Sequence, residues 1–513
     1  MAPDATRAVR VDRVIAARRA YPPLAVAGVL AVAAVVGVAG AIRPELFAVV
    51  LAALASAALG VVAHRWPERA MRASAFAIAL GETKFRLRDP SATLSSAVDG
   101  QVAFELGLSA IVGVLTLGAA LSPRVRLGAP TLVERVLIVY ATVAVASVAW
   151  SFAPAVTAVR GVQLVILLLF AATALRALGD TGFLDAIAGS VLLYVLLFSV
   201  IALVVPGANG SEVSWHGFWR FSWYSVHPIQ SGVYAGAALL LMLAAALFGS
   251  GAAGAAARVR YAGVPAWVYA VPLAAVLAAT RSRGPLLAVV VAAAVLVARR
   301  VGRRWMAPAV AGVAALGALA MAMAGLGAAD VVARGATSTN PVLTLLYRGQ
   351  DMGELATFSG RLDLWRDVVR FFLDRPFLGY GYQGSRALLL EVVPWAAYSH
   401  NAVAETLLNV GVVGSLPLLF ALVSALFAGS RAAGRVGAAA VGMAVFLLVN
   451  SLTSESFAAA PGLEAMLLFA SALLAERCRA RRAGEARVAA VAPVAVSPRF
   501  AIRAVGHART ARS

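Results

Sequence analysis

The chain has 513 residues, of which 61% are hydrophobic and 13% are charged, and its formal net charge at pH 7 is +20. Many apolar runs of about 18 to 25 residues are long enough to cross the ~30 Å hydrocarbon core of a bilayer. The runs are continuous and rich in Ala, Leu and Val, which argues against a β-barrel of short alternating strands. The sequence therefore predicts an all-α, polytopic transmembrane helical bundle.

The arginines gather at the two termini and in short connections between the apolar runs. This distribution is typical of the positive-inside rule, so the positive charge does not indicate binding to nucleic acid. The single cysteine, Cys478, lies in the basic C-terminal part, which excludes a disulfide within a monomer and a metal site built on cysteines. The basic N-terminus precedes a long Ala-rich run without a clear cleavage site, and we interpret it as an anchor.

Hydropathy divides the chain into about 12 to 14 membrane spans with one long extracytoplasmic loop. The predicted spans are 23–42, 45–63, 102–122, 132–152, 157–176, 183–205, 228–249, 264–280, 284–299, 306–327, 401–428, 436–453 and 459–476. The predicted regions are a basic cytoplasmic tail at 1–22, a transmembrane bundle at 23–327, an extracytoplasmic loop at 328–400, C-terminal transmembrane helices at 401–476 and a basic cytoplasmic tail at 477–513.

The segment 64–101 leaves the topology of the N-terminal part open. Two basic termini favour a cytoplasmic position for both, yet an odd number of spans would separate them. Either the apolar piece at 73–80 forms a re-entrant or short extra crossing, or the first two apolar runs are not both spans. Counting back from the basic C-terminal tail places three connections together on the extracytoplasmic side, namely 207–227, 280–284 and 328–400.

The turn between the spans 264–280 and 284–299 contains Arg281 and Arg283, on the side that the positive-inside rule disfavours for arginine. One interpretation is that both side chains reach lipid phosphates at the interface. The other is an anion site, because a guanidinium binds phosphate oxygens through two parallel hydrogen bonds and keeps its charge when partly desolvated. Gly284 would then let a ligand approach the backbone.

A polar stretch at 359–414 interrupts the apolar pattern, with Arg361 near its beginning and His400 and Asn401 where the next span starts. Histidine changes charge near neutral pH and suits general base chemistry; an interfacial residue without a catalytic role is the alternative. Asn401 would cap the helix or orient the imidazole. An amphipathic helix is predicted at about 361–373. Its predicted apolar stripe comprises Leu362, Trp365, Val369 and Phe372.

The loop 207–227 combines Arg220 with several aromatic side chains. These are Trp215, Trp219, Trp223 and Tyr224. They are typical of an aromatic belt at the membrane interface, and stacking on sugar rings is the alternative. The same two interpretations apply to Tyr380, Tyr382 and Trp395.

Six short segments occur in a characteristic order and spacing over roughly residues 145–415. They are Trp150–Pro154 followed by Arg160, then Thr280–Gly284, Gly360–Arg361 with Trp365, Arg375–Gly381, Ser399–Asn401 and Gly411–Gly414. Their order and their placement on one membrane face resemble the family of bacterial O-antigen ligases and O-antigen polymerases. The resemblance implies the fold of a C-type membrane glycosyltransferase. It also implies transfer of a glycan from a polyprenyl diphosphate carrier to an acceptor hydroxyl, as polymerisation or ligation of a surface polysaccharide.

The resemblance further implies roles for single residues. It assigns catalysis to His400, Arg361 and Arg283, with the imidazole as general base and the guanidinium groups stabilising charge on the leaving diphosphate. Substrate binding is assigned to Arg281, Arg220, Asn401, Arg160 and Tyr380. His216 and His227 compete for the role of base, although neither matches a motif as well.

No metal and no other cofactor are expected, because the extracytoplasmic carboxylates form no Asp-x-Asp pair or His-rich cluster. The expected partners are the lipid-linked glycan donor, a glycan or lipid acceptor and membrane lipids, in the bacterial cytoplasmic membrane. A transporter or flippase of lipid-linked glycans is the alternative function. Nearly uncharged span centres and the lack of a convincing internal repeat argue against it.

Overall fold

A computed structural model of the chain describes residues 44–85, 99–210, 212–213, 219–249, 259–302, 361–393 and 396–491. The described residues form a helical bundle with two short β-hairpins, which confirms the predicted all-α, polytopic membrane class. The predicted features that lie outside the described residues are the tail 1–22, the spans 23–42 and 306–327, the loop up to 360, Trp215, His216, Trp395 and the tail from 492 onward.

The helices, in chain order, are α1 Pro44–Arg65, α2 Pro67–Leu80, α3 Gly100–Ala120, α4 Leu132–Ala146, α5 Pro154–Val204, α6 Pro228–Phe248, α7 Ala270–Ala279, α8 Arg283–Val301, α9 Arg361–Asp374, α10 Ser385–Val392, α11 Ala402–Arg431, α12 Gly434–Asn450 and α13 Leu463–Val491. The antiparallel strand pairs are β1 Glu212–Val213 with β2 Trp219–Arg220, and β3 Arg260–Tyr261 with β4 Val264–Pro265. Within the described residues, six helices are long and apolar enough to cross a membrane: α3, α4 with the turn that follows it, α5, α6, α8 and α11.

Local sequence signals determine where several helices begin and break. Thr131 begins α4 with a capping box, since its hydroxyl accepts from the backbone N–H of Glu134 and the Glu134 carboxylate accepts from the backbone N–H of Thr131. Proline occupies the first position of α2, α5 and α6, where a missing N–H costs no helical hydrogen bond. Gly179, with φ 67°, breaks α5. The break separates the predicted spans 157–176 and 183–205.

Helix α2 lies in the segment 64–101, whose topology the sequence left open, and a short crossing at this place stays a prediction. Before α2, the carbonyl of Arg65 accepts a 2.7 Å hydrogen bond from Arg124, which follows the end of α3. After α2, Lys84 forms an ion pair with Glu105 near the start of α3. The helix therefore runs antiparallel to α3 from one end of the bundle to the other. Its buried face comprises Pro67, Ala70, Met71, Ser74, Ala75 and Ala79.

The core of the bundle is built from aromatic and aliphatic side chains of many helices. Its largest fully buried side chains include Trp223, Tyr194, Tyr234, Phe170, Phe183, Phe446 and Phe469. The indole N–H of Trp223 donates to the hydroxyl of Tyr194 at 3.1 Å. Both roles predicted for Trp223 are therefore wrong, because its ring is part of the core and faces neither lipid headgroups nor a sugar.

The described residues 219–227, 280–284, 361–393 and 396–400 of the three connections predicted to share a membrane face meet at one end of the bundle, which is called the site end. The backbone N–H of Phe221 donates to the carbonyl of Ala279 at 3.0 Å, joining the loop before α6 to the turn after α7. The N–H of Ala402 donates to the carbonyl of Ser451 at 3.0 Å, joining α11 to the connection after α12. The opposite end is called the basic end. It carries Arg124, Arg176, Arg299, Arg431, Arg435 and Arg481.

The amphipathic helix predicted at 361–373 is present as α9, and its most buried residues lie one position before two residues of the predicted stripe. Leu364 is 1% exposed and Val368 is 4% exposed, and both pack against α10 and α11. Val369 is 54% exposed. Of the predicted stripe, Phe372 packs against the same cluster and Trp365 is partly buried. A contact of Val369 with the membrane stays a prediction.

Candidate functional site

The turn between α7 and α8 is fixed by Arg220. This side chain is only 7% exposed, and its Nε donates to the carbonyl of Thr280 at 3.2 Å while Nη2 donates to the hydroxyl of Ser282 at 3.1 Å. The Ser282 hydroxyl donates in turn to the first carbonyl of α6 at 3.0 Å. A cation at the C-terminus of α7 is favourable, and here it also holds in place the turn that carries Arg281 and Arg283.

Two backbone features show how tightly this turn is built. Arg281 has φ 48°, a left-handed conformation that non-glycine residues rarely adopt and that the surrounding structure must enforce. A Cβ added to Gly284 would lie 2.8 Å from the hydroxyl of Thr453. The close neighbour of Gly284 is therefore the connection after α12, and the approach of a ligand to the backbone there stays a prediction.

Three arginines from separate segments converge at the site end: Arg220 from the loop before α6, Arg283 from the start of α8 and Arg361 from the start of α9. The positive charges of Arg361 and Arg220 both act on the Arg283 guanidinium, which is largely buried. Burial lowers the pKa of Arg361, and the nearby carboxylate of Glu455 acts in the opposite direction. Like charges withdrawn from water repel one another, and a multiply charged anion would offset that repulsion. The cluster is therefore suited to binding a diphosphate.

The segment that carries His400 is held on both sides. His400 directly precedes α11 and has φ 55°. The indole N–H of Trp365 in α9 donates to the carbonyl of Ser399 at 2.9 Å. Asn401 caps α11, because its Oδ1 accepts 3.0 Å hydrogen bonds from two backbone N–H groups of the first turn. Capping is thus confirmed for Asn401, and its assignment to substrate binding stays a prediction.

A buried carboxylate supports the backbone just before His400. Glu405 is fully buried in the first turn of α11. It accepts hydrogen bonds from the backbone N–H of Ser399 and the hydroxyl of Ser385, both at 2.8 Å, and from the Asn409 amide at 3.1 Å. These bonds join α10, α11 and the residue before His400. The position of the imidazole is therefore set by a satisfied polar network.

Glu455 meets the imidazole from the connection between α12 and α13. Its Oε2 lies 3.5 Å from Nδ1 of His400, and the side chains are 16% and 29% exposed, respectively. Burial alone would raise the pKa of Glu455, but the contact with His400 outweighs burial and holds that pKa below its usual range. His227 acts in the same direction more weakly. Its own Nδ1 caps α6, accepting from the N–H of Ile229 at 3.2 Å.

A cavity of about 310 Å³ opens beside Glu455. Its lining includes Lys84, Glu105, Arg160, Arg386, Tyr398 and Glu455. A concave site with several convergent polar groups beside a candidate base is the kind of place where a polar ligand binds. The cavity and the arginine cluster meet at the same end of the bundle, through the contact between Glu455 and His400.

Arg160 lies in this cavity rather than in the arginine cluster. Its Nη1 donates to the Gln163 amide oxygen at 2.9 Å, and its Nη2 lies 3.5 Å from a carboxylate oxygen of Glu105. Glu105 also forms an ion pair with Lys84. The structure thus brings Arg160 to the site end, where the Glu105 carboxylate offsets its charge.

Tyr380 fastens the long loop to the bundle. It is 7% exposed, its N–H donates to the carbonyl of Leu408, and its carbonyl accepts from the N–H of Phe152, both at 2.8 Å. The guanidinium of Arg375 covers its ring at 4.9 Å. Tyr382 is 2% exposed and equally enclosed. The described contacts of both tyrosines are with the protein, and a substrate contact for Tyr380 stays a prediction.

Sequence reasoning missed Glu455 and Arg386. Arg386 donates to the Tyr398 hydroxyl at 3.2 Å and lies 5.0 Å over that ring, and its Nε has no hydrogen-bond partner among the described residues. The extracytoplasmic carboxylates expected from the sequence lie in the long loop and at the start of the following span, whereas Glu455 lies in the short connection after the span 436–453. The signal for Glu455 is the predicted topology, because the connection after the span 436–453 lies on the same face as His400.

The described residues contain no group of three or more His, Cys, Asp or Glu side chains that could hold a metal ion. Independence from metal ions stays a prediction that an activity assay must test.

Residues 268–419 match the family model described as O-antigen ligase. No curated protein matches the chain. The match includes Arg281, Arg283, Arg361 and His400, whereas Arg160 and Arg220 precede it. It confirms the predicted resemblance to O-antigen ligases over these residues, and the six long apolar helices indicate a multi-pass membrane protein. The family implies a glycosyltransferase-like activity on lipid-linked glycans in a membrane.

Proposed function

We propose that the protein transfers a glycan from a polyprenyl diphosphate carrier to an acceptor hydroxyl at the outer face of the bacterial cytoplasmic membrane. One observation carries the proposal: Arg220, Arg283 and Arg361 converge beside the contact between His400 and Glu455 at one end of a membrane-spanning bundle. A cluster of cations next to a histidine matches a reaction in which a diphosphate leaves and a hydroxyl loses its proton. Polymerisation and ligation of a surface polysaccharide share this chemistry and differ in the acceptor.

The arginines bind the diphosphate and stabilise its departure. As the bond between the anomeric carbon and the phosphate oxygen breaks, negative charge grows on that oxygen. Fixed cations directed at developing charge lower the barrier, typically by several kcal/mol. Arg283 and Arg361 are the principal groups in this role. Arg220 holds the turn in shape and adds its own charge, and Arg281 extends the positive surface.

His400 accepts the proton of the attacking hydroxyl. A histidine changes protonation state near neutral pH, which suits a general base. The hydrogen bond from Trp365 to Ser399 joins the first helix of the described loop to the residue before His400 at 2.9 Å. This contact fixes the position of Arg361 relative to His400. The leaving group and the attacking hydroxyl can therefore contact their catalytic side chains at the same time.

The direct test is glycan transfer in vitro by the purified protein in lipid nanodiscs, with a polyprenyl-diphosphate-linked glycan, an acceptor and an excess of chelator. We expect transfer by the wild-type protein without divalent metal, and its loss in His400→Ala and Arg361→Ala. Arg366→Ala is the matched control, because Arg366 lies on the same helix and its side chain is 80% exposed. Full activity of the first two variants, or a strict need for divalent metal, would contradict the proposal.

A further inference from the structure

Glu455 is not among the residues assigned to diphosphate departure or proton abstraction, although its side chain contacts His400, the proposed base. It lies in the short connection between α12 and α13, where its carbonyl accepts from the N–H of Ala458 at 2.9 Å. The carboxylate reaches His400 on one side and lines the cavity on the other. A mostly buried carboxylate at this position requires a favourable partner for its charge.

Charged groups from four other elements surround Glu455. His400, His227 and Arg361 attract its charge, while Glu405 and Glu464 repel it. The contact with His400 Nδ1 at 3.5 Å is long for a hydrogen bond and within the range of an ion pair. It would shorten when the imidazole becomes positively charged.

On the premise of the proposed glycosyl transfer, we propose that Glu455 is a positioning residue that orients His400 for proton abstraction. A neutral imidazole carries one proton, and an ionised carboxylate can only accept a hydrogen bond. Glu455 therefore selects the tautomer with the proton on Nδ1. The lone pair is then on Nε2, which becomes the atom that receives the proton of the acceptor hydroxyl.

The acceptor oxygen forms a bond to the anomeric carbon, and the bond from that carbon to the phosphate oxygen breaks, with its electron pair leaving on the polyprenyl diphosphate. The acceptor proton passes to Nε2 of His400. The imidazolium is stabilised by the Glu455 carboxylate at Nδ1, and Glu455 itself stays ionised. The imidazolium then loses its Nε2 proton to water, which restores the neutral base.

Glu455→Gln is the first test, because it keeps the size of the side chain and removes its charge. We expect kcat to fall about 10- to 100-fold while KM for the donor changes less than about three-fold, since the loss concerns proton transfer rather than diphosphate binding. Glu455→Asp keeps the charge at a shorter reach and is expected to recover part of the rate. Both variants are compared with wild-type protein in the same nanodiscs.

The pH dependence separates positioning from a structural role. Without the adjacent negative charge the imidazolium is less favoured, so we expect the acid limb of the pH–rate profile to lie at lower pH in Glu455→Gln than in the wild-type protein. A structural role would lower the rate without moving the limb. His227→Gln tests whether the acid limb reflects His227 instead of His400. An acid limb that is unchanged in His227→Gln supports the inference, and one that is lost contradicts it.

A measurement without turnover completes the test. The chain contains five histidines, so ¹⁵N spectra of histidine-labelled protein can be assigned with the His400→Gln variant. We expect His400 to be mainly the Nδ1–H tautomer in the wild-type protein and a mixture in Glu455→Gln. If Glu455→Gln does not fold, we expect a smaller change in the tautomer population of His400 in the same direction in Glu455→Asp.

The outcomes distinguish the two proposals. Wild-type protein that transfers no glycan would overturn the proposed function, while the tautomer measurement would still test the positioning. Wild-type protein that is active, with a Glu455→Gln variant of unchanged rate, acid limb and tautomer, would overturn the role of Glu455 alone.

Discussion

The basic end of the bundle and the arginine cluster at the site end hold their arginines in opposite electrostatic settings. At the basic end, arginines from different helices meet carboxylates. These pairs are Arg176 with Glu134, Arg435 with Asp185 at 2.6 Å and Arg481 with Asp180 at 3.1 Å. At the site end, Arg283 is acted on by the positive charges of Arg220 and Arg361. The same residue type thus joins helices at one end and concentrates positive charge at the other.

The difference separates structural from functional arginines. A partly buried pair of opposite charges fixes the contact between two helices, and removing one partner leaves the other uncompensated. Like charges gathered in a partly buried place make folding less favourable, and such arrangements cluster at binding and catalytic sites. The arginine cluster therefore directs positive charge at a ligand, whereas the paired arginines of the basic end bind carboxylates of neighbouring helices.

The largest expected effect is the loss of transfer when an arginine of the cluster is removed. For Arg283→Ala we expect kcat to fall about 100- to 1,000-fold, because a fixed cation facing the leaving diphosphate is lost. Steady-state transfer by the purified variant measures the effect. Arg435→Ala at the basic end is the control, and an equal loss of kcat in both variants would remove the distinction between the two ends.

A smaller loss is expected when the charge is kept and the shape of the cation changes. Arg361→Lys retains a positive charge but lacks the planar group that binds two phosphate oxygens at once. We expect a loss of about 10-fold in kcat/KM for the donor, lying between the wild-type protein and Arg361→Ala. Wild-type kinetics for the lysine variant would show that net charge alone matters at this position.

At the basic end the expected effect is on stability. Arg435 donates to both carboxylate oxygens of Asp185, at 2.6 and 3.0 Å. Its removal in Arg435→Ala leaves that carboxylate without its cation, and we expect the free energy of unfolding to fall by about 1–3 kcal/mol. Thermal unfolding in nanodiscs measures the change, with activity per folded molecule as the second readout. A normal stability with a large loss of activity would reverse the assignment.

The smallest expected effect is a dependence of stability on pH at the site end. The pKa of Glu455 in the folded protein is lower than its usual value of 4.5, so its ionised form contributes stability above that pH. The contribution is lost as the pH falls through the lowered pKa. We expect Glu455→Gln to unfold about 2 °C below the wild-type protein at neutral pH, with the difference vanishing in acid. A difference in unfolding temperature that grows as the pH falls would contradict the lowered pKa of Glu455.

Much of the architecture follows from local patterns, which is why the sequence predicts it. Apolar runs and basic connections predict the spans and their orientation, and these place the loop 207–227, the turn 280–284 and the end of the long loop on one face. The amphipathic helix at 361–373 and the cap at Asn401 are likewise local signals. The convergence of the arginines with His400 at one end follows from that topology.

The remaining features depend on contacts between distant parts of the chain. The buried face of α9 is set by its docking on α10 and α11, and Trp223 is buried because it meets Tyr194 from another helix. His400 and Glu455 come together only when α11 and α12 pack side by side. A single sequence contains no periodicity that reports such pairs, so Glu455 and the true neighbour of Gly284 emerge from the structure alone.

Binding of a polyprenyl diphosphate without its glycan tests the central claim most directly, because it separates the cations from the base. Purified wild-type protein, Arg283→Ala, Arg361→Ala and His400→Ala would be titrated with the carrier lipid in nanodiscs, with Arg366→Ala as control. The predicted result is weaker binding by at least about 10-fold in both arginine variants, and near wild-type binding by a His400→Ala variant that transfers no glycan. Equal binding by all variants would contradict the assignment of the arginine cluster to the diphosphate.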